Sequence, residues 1–169
     1  MSRSPDVPFV YLADVDEKVM EQLLQLAKRE ASPDEVAPPL GGPGWNLERT
    51  AWFFSYHRAA ANGLDGEAGE KSWAIMAGGN IAGSIRLKRV DGGGRKTAET
   101  GVWLGRSFRS RGIGTAALGL VLAEARRAGL EQVVARTLAG NLGAQRLLAG
   151  AGAALKPDDD GTVRAVVDL

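Results

Sequence analysis

The sequence predicts a single α/β (α+β) domain: a mixed, mostly antiparallel central sheet of six to seven strands with helices on both faces. Three observations lead there. Mid-chain, three strand-like segments follow one another through turn residues, as antiparallel neighbours do. Later, strand and helix patterns alternate, which implies some parallel pairing and helices laid over the sheet. Finally, 169 residues with 44% hydrophobic content and no internal repeat suit one domain, spanning residues 1–169.

Taken in order, FVYLAD from Phe9 reads as a strand, with Asp14 placed to cap the helix after it. That helix carries Met20, Leu23, Leu24 and Ala27 at i, i+3, i+4 and i+7, one apolar stripe. Ser32 to Gly44 is proline- and glycine-rich, a loop with at most one helical turn. Asn46 can cap a second helix, NLERTAWFFSYHRAAANG, and LDGEAGEK returns to loop. SWAIMA, the turn GGN and IAGSIRLK form a hairpin. In the second strand Ile81, Gly83, Ile85 and Leu87 alternate with Ala82, Ser84, Arg86 and Lys88. AETGVWLG is a further strand whose Glu99, Gly101 and Trp103 share one face. The helix in TAALGLVLAEARRAG buries Leu118, Val121, Leu122 and Ala125 and ends at Gly129. EQVVARTL is a strand, NLGAQRLLAGAG a helix capped by Asn141, and TVRAVVDL a closing strand.

Composition narrows the chemistry. The chain has no cysteine and one histidine, which excludes disulfides, a cysteine nucleophile and multi-histidine metal sites. A formal charge of +1 argues against a general nucleic-acid binder. Acidic residues come too early for a secretory signal, and no apolar run approaches the roughly 20 residues that span a bilayer. The expectation is a cytoplasmic protein with neither nucleic-acid nor membrane partners.

The least ordinary stretch is FRSRGIGTAA, where Arg109 and Arg111 flank a glycine turn at the mouth of a helix. A helix N-terminus offers unpaired N–H groups and partial positive charge, and glycines let a phosphate approach the backbone. The stretch lacks the lysine of a nucleoside-triphosphate loop and the third glycine of a dinucleotide fingerprint. From the residues alone it is an anion site, or a glycine turn whose arginines face water.

RSRGIG, Arg109 to Gly114, resembles the R/Q-x-x-G-x-G/A segment of the GNAT superfamily of acetyl-CoA-dependent N-acetyltransferases. NLGAQRLLAGAGA resembles that family's second signature, with Asn141, Ala144, Leu147, Leu148 and Gly152 in its places. Arg146 and AETGVWL are similar to the Rim-type branch. The resemblance implies a GNAT-like fold and a coenzyme A site. In that site the backbone of Arg109, Ser110, Arg111, Gly112, Ile113, Gly114 and Thr115 holds the pyrophosphate. Val102, Trp103 and Leu104 offer backbone groups to the pantetheine and the thioester oxygen, and Asn141 lies near the pantetheine arm as well as capping its helix.

The same resemblance implies transfer of acetyl from acetyl-CoA to a primary amine by direct attack in a ternary complex, with no metal. An alkylammonium, with a pKa of about 10, must first lose a proton. Glu99 lies where many relatives place a carboxylate base; its other reading is a pair with Arg86 or Lys88 across the sheet. His57 is the alternative base, or a packing residue. The family's usual acid, a tyrosine, is replaced by Leu148. A thiol with a pKa near about 8.5 is a tolerable leaving group without it.

In such proteins the acceptor site draws on the N-terminal helices and the final strands; here the arm and loops of residues 31–71 are its expected substrate side. Trp45, Trp52, Phe53 and Tyr56 either line that site, form a subunit contact or fill the core; a homodimer is left open. Asp34, Glu35, Glu48 and Asp65 are acidic residues in or near the arm, and the DDD run at Asp158 to Asp160 reads as a solvated turn. A small-molecule amine is the favoured acceptor, because aromatic residues suggest an enclosed pocket. A peptide N-terminus, as in Rim-type enzymes, and a non-catalytic acyl-CoA-binding module are the alternatives.

Overall fold

The computed structural model describes residues 7–169. The expectation about an N-terminal signal turns partly on the first six residues and lies outside the described ones. Seven strands form one sheet in the order β1-β2-β3-β4-β5-β7-β6. They are β1 (Val10–Asp14), β2 (Glu70–Ala77), β3 (Asn80–Val90), β4 (Thr97–Leu104), β5 (Gln132–Leu138), β6 (Ala154–Pro157) and β7 (Thr162–Asp168). Helices α1 (Glu17–Glu30), α2 (Pro33–Val36) and α3 (Leu47–Ala60) precede β2; α4 (Ile113–Arg127) and α5 (Leu142–Gly150) flank β5.

Two cores sandwich the sheet. On one face Met20, Leu23 and Leu24 of α1 and Phe53 of α3 pack with Ala74 of β2. On the other, Ile113, Leu118, Val121 and Leu122 of α4 and Leu148 of α5 pack against Ile75, Ile85, Ala98 and Val133. The stripes read from the 3.6-residue period of α1 and α4 are buried. Every ladder is antiparallel except β4–β5.

Four readings of the sequence change. The cap of α1 is Asp16, whose side chain accepts the Val19 N–H at 2.8 Å. Asp14, expected there, ends β1 and pairs with Lys71 at 2.9 Å. Strict alternation along β3 fails at a bulge: Ile75 faces Gly83 but Met76 faces Ile81, leaving Ala82 unmatched. One extra residue exchanges the faces, so Ile81 joins the α1–α3 core while Ala82 lies with Ile85 on the other side. The seventh strand is β6, four exposed residues without apolar alternation, paired only along β7. The expected parallel pairing is found in the β4–α4–β5 unit alone; because β6 intervenes, the β5–α5–β7 passage returns antiparallel.

Candidate functional site

The β4–β5 ladder holds only Thr97 to Glu99 against Gln132 to Val134. Beyond Glu99, β4 continues to Leu104 along β3 while β5 continues to Leu138 along β7, so the two strands part. A residue later the chain makes a 3₁₀ turn (Arg106–Phe108) and enters α4 through Gly112, at φ +79°. That left-handed conformation suits glycine and penalises any side chain. The N–H groups of Ile113, Gly114 and Thr115 make no hydrogen bond among the described residues; the first α4 bond runs from Ala116 N–H to the Gly112 carbonyl.

These elements bound a cavity of about 600 Å³. Its walls include Val102, Trp103 and Leu104 of β4, Arg109, Ser110, Gly112, Gly114 and Thr115 of the turn, and Asn141, Gly143, Ala144, Arg146 and Leu147 around α5. The expected role of Ile113 and Arg111 is one of the backbone, and their side chains do not line the cavity. Ile113 is fully buried in the α4 core, and Arg111 reaches back to the Ser107 carbonyl at 3.5 Å. Asn141 caps α5 by accepting the Ala144 N–H at 3.1 Å and also lines the cavity, so its two readings coexist. Leu148, in the place of the family's tyrosine, is buried in the core and has no polar atom to offer.

A second cavity, of about 650 Å³, lies on the α1–α3 side and shares Glu35, Val102 and Trp103 with the first. Trp52, Phe53, Tyr56 and His57 of α3 form one wall, and α2 with Pro38 and Pro39 another. Trp45 does not line it; its ring meets Phe53 edge-on with centroids 6.5 Å apart, a packing role. The floor is polar. Glu70, Arg86 and Glu99 come from three adjacent strands: Glu70 faces Lys88, which faces Glu99, and Arg86 faces Gly101.

Arg86 crosses to both carboxylates. Its Nη2 donates to Glu99 Oε1 at 2.8 Å, and its Nη1 lies 3.7 Å from Glu70 Oε2. A Cβ at residue 101 would sit 3.1 Å from Arg86 Nε, so Gly101 gives the guanidinium room to lie across the strand. Glu70 also accepts the Tyr56 hydroxyl at 2.7 Å. Burial, and then that hydrogen bond and the Glu70 charge, push the Tyr56 hydroxyl far above its ordinary range, so it stays protonated. Burial opposes the charge on Arg86, but the hydrogen bond it donates to Glu99 and the surrounding negative charge hold its pKa above the usual value. Glu99 is therefore paired with Arg86, as one reading held, and also lines the cavity, as the other required. Its Oε2 takes no hydrogen bond among the described residues.

Arg49 explains how the arm is fastened. It is 1% exposed, pairs with Asp34 at 2.9 Å, and donates to the carbonyls of Leu40 at 3.4 Å and Gly42 at 3.2 Å. One buried guanidinium thus ties α2 and the following loop to α3. The sequence pattern marks neither Glu70 nor Arg49: Glu70 closes a loop-like run of glycines and acids, and the burial of Arg49 depends on the folded arm.

His57 is 2% exposed, with Nδ1 2.8 Å from Ser72 Oγ and the rings of Phe53 and Tyr56 against it. Burial lowers its pKa to about 4, so it is neutral near pH 7. An unfolded imidazole titrates near about 6.5, so between these values the unfolded chain binds more protons. The stability His57 confers is complete above about pH 6.5 and is lost as pH falls toward 4, by roughly 3 kcal/mol. His57→Gln should remove most of that acid slope, read as urea midpoints at pH 7 and pH 4.5. Equal slopes in the two proteins would dismiss His57 as its source.

The family profile described as acetyltransferase (GNAT) domain matches residues 12–154. The chain belongs to the GNAT acetyltransferase family. Solved structures with this GNAT fold include Mycobacterium smegmatis RimJ in complex with CoA-disulfide, at 20% identity and TM-score 0.73, covering 97% of this chain and 88% of that one. The GNAT domain of S. lividans PAT is 22% identical with TM-score 0.70, over 95% and 89% of the two chains. The microcin C7 self-immunity acetyltransferase MccE, in complex with acetyl-CoA and AMP, is 19% identical with TM-score 0.71, over 95% and 92%. No curated protein matches the chain in sequence. These GNAT relatives share the fold. Among the described residues no helix is long and apolar enough to cross a membrane, and no group of three or more metal-ligating side chains forms.

Proposed function

We propose that this GNAT protein transfers an acetyl group from acetyl-CoA to a primary amine of a small molecule, by direct attack with both substrates bound. The observation that carries this reading is the meeting of two cavities at Val102 and Trp103. One has the glycine turn and open strand edge that suit a pyrophosphate and a pantetheine amide. The other has an aromatic wall and a carboxylate floor that suit an organic ammonium.

The residues lining the first cavity suit coenzyme A. Unpaired N–H groups at Ile113 to Thr115 and the arginine Arg109 face the cavity end where a pyrophosphate belongs. The free edge of β4 from Thr100 to Leu104 offers N–H and carbonyl groups along its length, and an N–H there stabilises negative charge on the thioester oxygen during attack. Glu99 takes the proton from the ammonium, directly or through water, through its unengaged Oε2. Glu70 is less suited to this, being held by both Tyr56 and Arg86. Arg86 fixes the orientation of Glu99. Departing thiolate is protonated by water, since Leu148 supplies no acid.

The aromatic wall of the acceptor cavity favours a small amine over a peptide N-terminus, the alternative that the Rim-type resemblance implies. The test is thiol release from acetyl-CoA by the pure protein across a panel of amines, including aromatic monoamines and short peptides. Release that depends on a small amine supports the proposal. Release only with peptides transfers it to an N-terminal acetyltransferase. Tight acetyl-CoA binding without release on any amine points to an acyl-CoA-binding module. No binding of coenzyme A at all overturns it.

A further inference from the structure

Among the described residues, Glu35 on α2 is the one outside β4 that lines both cavities. Its Oε2 accepts the Arg109 Nη2 at 2.8 Å and the Ser32 N–H at 3.3 Å. Arg109 spends its Nε on the Leu104 carbonyl at 3.0 Å. The main cation of the glycine turn is therefore neutralised by a carboxylate that belongs to the acceptor wall. The Glu35 backbone is held in place independently, because the neighbouring Asp34 is tied to the buried Arg49.

Both members of the Arg109–Glu35 pair are about two-fifths exposed, at 40% and 42%. Such a pair is weak and readily exchanged. A pyrophosphate offers Arg109 more negative charge and paired oxygens in the geometry a guanidinium prefers. Glu35 then has two effects. While it holds Arg109 it competes with the donor. Once Arg109 turns to the phosphates, Glu35 is an unpaired carboxylate at the boundary with Val102 and Trp103, where the amine must meet the thioester.

We propose that Glu35 is a shared carboxylate, neutralised by Arg109 in the free protein and released by the donor's pyrophosphate to hold the acceptor's ammonium. The inference rests on the reading of the 600 Å³ cavity as the coenzyme A site. It makes the acceptor site most attractive to a cation only when the donor is in place, and it selects cationic acceptors over neutral ones.

The experiment compares wild type and Glu35→Gln, which keeps the side-chain size and an acceptor for Ser32, by calorimetry with coenzyme A and with pantetheine, which lacks the pyrophosphate. Glu35→Gln should bind coenzyme A about 3- to 10-fold more tightly at low salt, with the gain shrinking as salt screens it. Pantetheine affinity should be the same in both proteins. With the amine of highest kcat/KM in the panel, Glu35→Gln should raise the amine KM at least about 10-fold with a smaller change in kcat. Unchanged or weaker coenzyme A binding by the variant overturns the exchange at Arg109. An unchanged amine KM overturns the acceptor role. Failure of the wild type to bind coenzyme A would instead sink the assignment of the cavity itself.

Discussion

Glu99→Gln is expected to lower kcat about 100-fold at pH 7.5 while leaving the coenzyme A Kd within about twofold. The size follows from what a positioned base usually contributes, at least 10²-fold and worth about 2.7 kcal/mol of barrier. Glutamine keeps an oxygen for the Arg86 Nη2 bond at 2.8 Å, so the floor of the cavity should stand and only proton acceptance be lost. A control is built into the pH profile. An alkylammonium loses its proton unaided near about pH 10, and a base matters less there. The ratio of wild-type to variant kcat should therefore narrow as pH rises toward that value. A variant with wild-type kcat at neutral pH would remove Glu99 from the mechanism; a ratio that stays constant with pH would make it a positioning residue.

Gly112→Val should weaken coenzyme A binding about 100-fold and lower stability by about 1–3 kcal/mol. At φ +79° a β-branched side chain is strained, and its Cβ would also lie 3.1 Å from Val7 Cγ2. The turn must then reopen, moving the N–H groups of Ile113 to Thr115 that make it an anion site. Gly119→Ala supplies the contrast, since a methyl there meets nothing within 4 Å and alanine is the better helix former. That substitution should leave affinity unchanged and raise stability by roughly 0.5–1 kcal/mol. Coenzyme binding by Gly112→Val that matches Gly119→Ala would mean that the turn is not where the donor is held. Calorimetric titration of both variants decides it.

The two sites differ in how far the sequence revealed them, and the reason is physical. An anion turn is a local object. Its arginine, its glycines and the start of the helix that follows lie between Arg109 and Thr115, so the chemistry can be read along the chain. The acceptor floor is assembled across strands. Glu70, Arg86 and Glu99 meet only through the register that the Gly78–Gly79 turn and the β3–β4 ladder impose. Glu70 followed a loop-like run of glycines and acids, so nothing nearby marked it as the first residue of a strand. Counting back from the hairpin turn sets Glu70 opposite Leu87; only the extra residue at Ala82 brings it opposite Lys88. The bulge at Ala82 was hidden for a related reason: alternation of apolar residues has no way of showing that one of them is extra. Helices α1 and α4 were legible because their stripes repeat over several turns, and β6 was not because an exposed edge strand leaves no pattern.

The short β4–β5 ladder has a mechanical meaning. Three residue pairs join β1 to β4 with β5 to β7, whereas β3 and β4 share eight pairs and β5 and β7 share seven. The sheet is in effect two plates joined by a narrow seam, with the 600 Å³ cavity at its open side. A molecule lying along that cavity and bonding to both exposed strand edges acts as a splint, replacing main-chain bonds the protein forgoes. Its binding energy then becomes resistance to unfolding, about 2.7 kcal/mol at one hundred times Kd. A metabolite consumed in turnover would thus also serve, between turnovers, as part of the protein's skeleton.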